Sequence, residues 1–269
     1  MQIRSMLIKG LTTFCLVFFS LSSCGIIFGT FDSNKDVNET EDETTSDTLI
    51  ETSVFSGLNY AAFGDSINDS AHLANSSEAC PNVVGSILGC NVRNKAVSGS
   101  TLARHSDEKY SSKRCIAEDV LRLCESSGRY HIISVAGGVN DHGIGCQLGT
   151  IDDYTTETVY GSLNIIAKAL TERFPDAFIF FVTPMKFKNY EFENYQGYYL
   201  SDVADAVKAV AEKYNLPVLD LFNTSQFETA SSGMNHPECD GQHPIKEFIA
   251  DYMAPQTAKF IQDNYKKND

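Results

Sequence analysis

The chain has 269 residues, enough for one large domain or two small ones, and carries a formal net charge of −14 at pH 7. That balance excludes a nucleic-acid binder, whose phosphate contacts need clustered Lys and Arg, and no basic stripe with interleaved aromatics occurs. No internal repeat is visible, and one apolar run long enough to suggest targeting lies at the N-terminus.

That run covers residues 11–23, behind Arg4 and Lys9, and is too short to span a bilayer comfortably. It ends in Leu21-Ser22-Ser23-Cys24-Gly25, which is similar to a bacterial lipobox. Residues 1–23 are therefore expected to be a signal peptide and Cys24 the lipidated first residue of the mature protein. An ordinary signal peptide with an incidental cysteine is the alternative. Between Asp32 and Glu51, eight acidic residues face only Lys35, among many Ser and Thr. Such a stretch buries too little apolar surface to offset its ordering entropy, so 24–56 reads as a disordered tether. The expected location is exported and lipid-anchored, at the bacterial cell surface or on a membrane facing the periplasm.

Residues 57–269 read as the folded domain. A buried strand is predicted over 58–63, then a helix over 78–88 with Pro81 in its first turn. A second strand over 90–97 precedes a helix over 114–126. A third strand covers 130–136. A clear amphipathic helix covers 156–174, with Val159, Leu163, Ile166, Leu170 and Phe174 on one face. A continuous apolar strand over 177–183, a helix over 200–214 and a short strand over 216–221 follow. The chain closes with a helix over 244–265, interrupted near Pro255. Five apolar strands alternating with helices predict an α/β fold, a parallel sheet covered on both faces. Ligand sites in such sheets lie outside the carboxyl ends of the strands.

Chemistry-bearing residues fall at those ends. Gly64-Asp65-Ser66 follows the first strand, and Asp240-Gly241-Gln242-His243-Pro244 lies in the last loop. Together they contain the parts of a hydrolytic triad. A serine hydroxyl attacks only when an imidazole takes its proton, and the imidazole needs a carboxylate to fix its tautomer. The three-residue spacing lets Asp240 reach His243. Ser66 alone would read as a helix N-cap. No Gly-x-Ser-x-Gly elbow is present, which argues against an ordinary α/β-hydrolase.

Two further blocks, Asn94-Lys95-Ala96-Val97-Ser98-Gly99-Ser100 and Gly137-Gly138-Val139-Asn140-Asp141, follow the second and third strands. The four blocks in this order resemble the SGNH, or GDSL-type, hydrolases over residues 58–266, with the signature residues on Ser66, Gly99, Asn140 and His243. The resemblance implies a flavodoxin-like three-layer α/β/α fold. It implies Ser66 as nucleophile, His243 as base, Asp240 as its orienting partner, and an oxyanion hole from Ser66, Gly99 and Asn140. Asp65 is expected to order the turn. The run from Asn140 to Gly143, with Leu148-Gly149-Thr150, looks like a pocket-wall loop of bacterial members.

The implied activity is a cofactor-free serine esterase acting on small acyl esters, O-acetyl groups on carbohydrate foremost, as a monomer. Lipid hydrolysis of the lysophospholipase or thioesterase type, or a non-catalytic glycan-binding lipoprotein, are the alternatives. A rival metal site would use His236, Cys239, Asp240 and His243, ligand types that suit zinc in an unfamiliar spacing. His72, His105, His131 and His142 read as surface or core residues, although His142, beside Asn140, is also a candidate substrate contact. The domain's six cysteines, Cys80, Cys90, Cys115, Cys124, Cys146 and Cys239, suit disulfides in an exported protein. Their connectivity is open, with Cys146–Cys239 the first expectation because both flank the expected site.

Overall fold

The computed structural model describes residues 54–266. The expected signal peptide, Cys24 and all but the last residues of the acidic tether lie outside them. Five strands, β1 (Asn59–Phe63), β2 (Asn91–Asn94), β3 (Ile132–Ala136), β4 (Phe178–Val182) and β5 (Val218–Leu219), form one all-parallel sheet in the order β2-β1-β3-β4-β5. Between them lie α1 (Cys80–Leu88), α2 (Ile116–Cys124), α3 (Val139–Ile144), α4 (Val159–Arg173) and α5 (Leu200–Lys213). The chain finishes with α6 (Leu221–Thr224), α7 (Lys246–Phe248), a π-helical turn Ile249–Met253 and α8 (Ala254–Asn264).

The central strands are apolar on both faces because both are covered. Ala61, Phe63, Ile133, Val135, Ile179 and Phe181 pack with α2, α4 and α5. Tyr60, Ala62, Ile132, Phe180 and Val182 pack with α1 and α8 on the opposite side. Phe63, Phe180 and Phe181 are fully buried, each worth roughly 1.5–3 kcal/mol of transfer free energy. The helices begin and end on local signals. Thr158 caps α4 by accepting from the Gly161 N–H. Pro81 sits in the first turn of α1, and Gly89 ends it at φ 71°.

Three departures from the sequence pattern have physical reasons. The second strand stops at Asn94 rather than 97, because the Asn94 side chain bonds the Asn68 carbonyl and the Ala96 N–H and turns the chain out of the sheet. It is an edge strand with exposed Arg93, so it is not apolar throughout. β5 keeps two residues, because Asp220 caps α6 immediately after it. The segment after β3 is a helix, α3, where a loop was expected. The break near Pro255 is the π turn before it, where proline has no N–H to continue the ladder.

The strand order places a topological switch between β1 and β3. The chain leaves β1 toward β2 on one side and later returns to β3 on the other, so the loops after these strands diverge and open a crevice. Ser66 and Asn140 both sit there.

Candidate active site

Ser66 lies three residues beyond β1 in a tight turn. The Asn68 and Asp69 N–H groups donate to the Asp65 carbonyl at 3.2 and 3.0 Å, and the Ile67 N–H donates to Asp65 Oδ1 at 3.0 Å. A Cβ on Gly64 would come within 2.9 Å of Asn68 Nδ2, so the turn closes only over glycine. Asp65 is buried and faces the turn; burial raises its carboxyl pKa against the Ile67 bond. The Ser66 side chain is left at the crevice, 9% exposed.

His243 reaches it from the far end of the chain. His243 Nε2 lies 2.9 Å from Ser66 Oγ, and His243 Nδ1 lies 2.6 Å from Asp240 Oδ2. Asp240 Oδ1 also accepts the Gln242 and His243 N–H groups at 2.8 and 2.7 Å, which folds the Asp-x-x-His loop into one turn. Burial would raise the Asp240 carboxyl, but the His243 ring and these two N–H groups outweigh it and bring the pKa down to about 2. Asp240 is therefore an anion at neutral pH, held against a ring whose Nδ1 donates and whose Nε2 accepts from Ser66 Oγ. The His72 ring packs on the other side of His243 with centroids 5.2 Å apart, and its Nε2 lies 3.1 Å from the Pro244 carbonyl.

The segment from Ser98 to Ala103 is fastened residue by residue. The Val97 N–H donates to the Gly64 carbonyl at 3.1 Å. Ser98 gives both its N–H and its hydroxyl to Asp69 Oδ2, at 2.9 and 2.8 Å. Gly99 adopts φ 77°, a conformation that favours glycine, and its carbonyl accepts from Lys113 Nζ at 3.4 Å. The Ser100 carbonyl accepts from Asn140 Nδ2 at 2.9 Å. Asp141 Oδ2 and Oδ1 accept the Leu102 and Ala103 N–H groups at 2.8 and 2.9 Å. One hydrogen of the Asn140 amide is thus used to hold the loop, and the second remains for a ligand.

The structure thus brings Ser66, Asp240 and His243 into one hydrogen-bonded chain and ties the Gly99 and Asn140 loops to each other and to the Ser66 turn. Two residues in this frame carried little sequence signal. Asp69 has no motif beyond standing three residues after Ser66, yet it locks the Gly99 loop to the nucleophile turn. Asp141 was visible only as the neighbour of Asn140 in an expected pocket wall. It is fully buried instead, and burial pushes its carboxyl up to about 6 despite two N–H donors.

Other expectations are corrected. His142 is fully buried, with Nε2 3.0 Å from the Phe192 carbonyl, so it faces the 183–199 segment rather than a substrate. All six described cysteines are free. Cys146 is buried against the Ala103 carbonyl, whereas Cys239 bonds the Gly241 N–H and the His243 carbonyl, so the two thiols serve different loops. The metal reading loses its central ligand, because both ring nitrogens of His243 are committed to Ser66 and Asp240.

Solved structures share this fold. One from Lactobacillus plantarum is 22% identical with a TM-score of 0.64, covering 78% of this chain and 99% of its own. A structure described as a possible lipase from Chitinophaga pinensis is 19% identical with a TM-score of 0.56, covering 77% and 98%. A carbohydrate acetylesterase family member from Sinorhizobium meliloti is 16% identical with a TM-score of 0.52, covering 76% and 99%. Among curated proteins, none matches the chain in sequence. The profile of the GDSL-like lipase/acylhydrolase family matches residues 62–245, a span that holds Ser66, Gly99, Asn140, Asp240 and His243, and the chain belongs to that family.

Proposed function

We propose that the protein is a serine esterase that removes small acyl groups, O-acetyl foremost, from carbohydrate. The observation that carries the reaction is the Asp240–His243–Ser66 relay at 2.6 and 2.9 Å. Ser66 Oγ attacks the ester carbonyl while His243 Nε2 takes its proton, and Asp240 stabilises the imidazolium. The tetrahedral oxygen is met by the Ser66 and Gly99 N–H groups and the free Asn140 amide hydrogen. His243 then returns the proton to the leaving alcohol. Water releases the acyl group from Ser66 by the same steps in reverse order.

Two observations support the substrate. A hollow of about 350 Å³ beside His243 is lined by Glu78, Glu238, Asp240, Lys246 and Glu247 together with the apolar Leu73, Ala74 and Ile245. Such a mixed wall suits a sugar, whose hydroxyls meet the charged groups and whose C–H faces meet the apolar ones. The mainly apolar hollow that borders the Ser66 turn through Asp65, Ile67 and Asn68, with Val139 and Met185, holds about 20 Å³, too little for a fatty chain. The acetylesterase from Sinorhizobium meliloti, of the same fold, agrees with this reading. The proposal includes export and a lipid anchor at Cys24, which rest on the leader sequence alone.

Ser66→Ala should lower turnover of 4-nitrophenyl acetate by roughly 10⁴-fold or more and abolish labelling by a fluorophosphonate. Wild-type turnover should fall as the acyl chain lengthens from acetyl to octanoyl. Labelling that persists in the variant would end the serine mechanism, and an octanoate optimum would favour a lipid hydrolase.

A further inference from the structure

Lys113 is the one cation that touches the Gly99 loop through a side-chain contact in the described structure, at 3.4 Å from the Gly99 carbonyl. Its position is close to the site: a Cβ on Gly99 would lie 3.1 Å from Nζ, so the bare face of that glycine is turned to the ammonium. Lys113 is half-buried and, among the described residues, forms no ion pair. The neighbouring cations differ. Arg114 and Arg122 both pair with Asp119, Arg104 pairs with Glu118, and Lys109 pairs with Asp107.

The flank beyond Lys113 is also cationic. A groove of about 300 Å³ between β2 and α2 is lined by Lys95, Arg114 and Arg122, with Asp119 as the one carboxylate of its wall. In a chain of net charge −14 this arrangement has a cost, because the molecule as a whole repels anions. An uncompensated ammonium beside the Gly99 loop partly cancels that repulsion at one place. On the opposite flank, beside His243, the wall carries Glu78, Glu238, Asp240 and Glu247. The two sides of the site therefore differ in charge, with the Lys113 ammonium, unpaired among the described residues, at the Gly99 loop and carboxylates beside His243.

We propose that Lys113 is a specificity residue whose ammonium receives an anionic group, a carboxylate or a phosphate, borne by the substrate beside the scissile ester. The proposal rests on the esterase reading and narrows its substrate to acylated acidic compounds. Lys113 is a cation on a flexible stem, and a partner at the crevice edge is partly desolvated. The expected preference is about fivefold, at the upper end of what an exposed pair provides.

The test compares kcat/KM for 4-acetoxybenzoate, 4-acetoxyphenyl phosphate and the neutral methyl 4-acetoxybenzoate, in the wild type, Lys113→Gln and Lys113→Arg. Glutamine keeps a donor for the Gly99 carbonyl and removes the charge. Each anionic-to-neutral ratio, divided by its wild-type value, cancels intrinsic reactivity and any general loss from loop loosening. The ratio for at least one anion should fall about fivefold in Lys113→Gln, return in Lys113→Arg, and shrink in the wild type as salt is raised. The two anionic esters separate carboxylate from phosphate. If the ratios are the same in wild type and Lys113→Gln while all three esters are turned over, Lys113 only anchors the loop and the proposal falls alone. If the wild type hydrolyses none of the esters and Ser66 is not labelled, the esterase reading falls and takes this one with it.

Discussion

At the scale of single residues, the amide of Asn140 has two tasks. It holds the Ser100 carbonyl and, in the proposed reaction, offers its second hydrogen to an oxyanion. Asn140→Ala should therefore lower kcat by roughly 10²- to 10³-fold with little change in KM, measured on 4-nitrophenyl acetate. Asn94 would make a poor control, because it ties the Asn68 carbonyl to the Ala96 N–H beside the Ser66 turn. The exposed Asn91, at the far end of β2, serves instead and should leave kcat within about twofold, as surface substitutions usually do. Asp141 carries a prediction in pH. Its carboxyl titrates near 6 in the fold and near 3.9 in an unfolded chain. Between those values the folded state keeps a proton that the unfolded state has lost, so stability falls as pH rises from about 4 to about 6, by about 3 kcal/mol in all. Asp141→Asn removes that penalty but leaves one of the Leu102 and Ala103 N–H groups without its acceptor, at about 1–3 kcal/mol. The opposing effects nearly cancel at pH 7. The measurement that separates the proteins is the slope of melting temperature between pH 4 and 6, which the variant should lose in large part.

At the scale of elements, α3 does most to place the site, and it was the least legible. Its six residues include Gly143 and an Asn-Asp pair and are flanked by Gly138 and Gly145, a composition that reads as a turn, and only packing makes it helical. Gly138 caps it at φ 113°, and a Cβ there would lie 2.5 Å from Val203 on α5. Gly138→Ala should therefore strain the backbone and push α3, with Asn140, away from Ser100. The expected loss is about 1–3 kcal/mol of stability by thermal melting, and kcat should fall at least tenfold, because an oxyanion donor misplaced by an ångström loses most of its effect. The long elements were plain in the sequence. The spacing of Val159, Leu163, Ile166 and Leu170 gave α4, and the apolar runs gave β1, β3 and β4, because burial on both faces leaves few polar positions, Ser134 being one that finds its partner in Tyr60. The weak elements were not. β2 and β5 are edge strands cut short by Asn94 and Asp220, and hydrogen bonds from single side chains to distant backbone have no periodicity to read. Of the site, the ionisable and nucleophilic residues were legible from type and order. Asp69, Lys113 and Asp141 act through tertiary contacts 14 to 39 residues away in the chain, which local pattern does not contain.

At the scale of the whole molecule, the domain carries its chemistry at one edge of the sheet and its proposed anchor on a separate segment. Among the described residues no helix is long and apolar enough to cross a membrane. Attachment, if it occurs as proposed, depends on Cys24. Cys24→Ala should move the protein from the detergent phase to the aqueous phase in a detergent partition experiment and leave kcat on a soluble ester unchanged, since Cys24 is assigned no part in the proposed reaction. A wild-type mature chain that starts elsewhere than residue 24 would count against the anchor.

The separation of 177 positions between Ser66 and His243 has a further meaning for the history of each molecule. The nucleophile is made early and its base late, and every strand must be laid down before the two meet. A chain stalled in synthesis, clipped within its last loop, or threaded through an export channel holds a serine with no proton acceptor and is chemically mute. On the proposed mechanism, the fold thus supplies a delay that confines esterolysis to finished molecules.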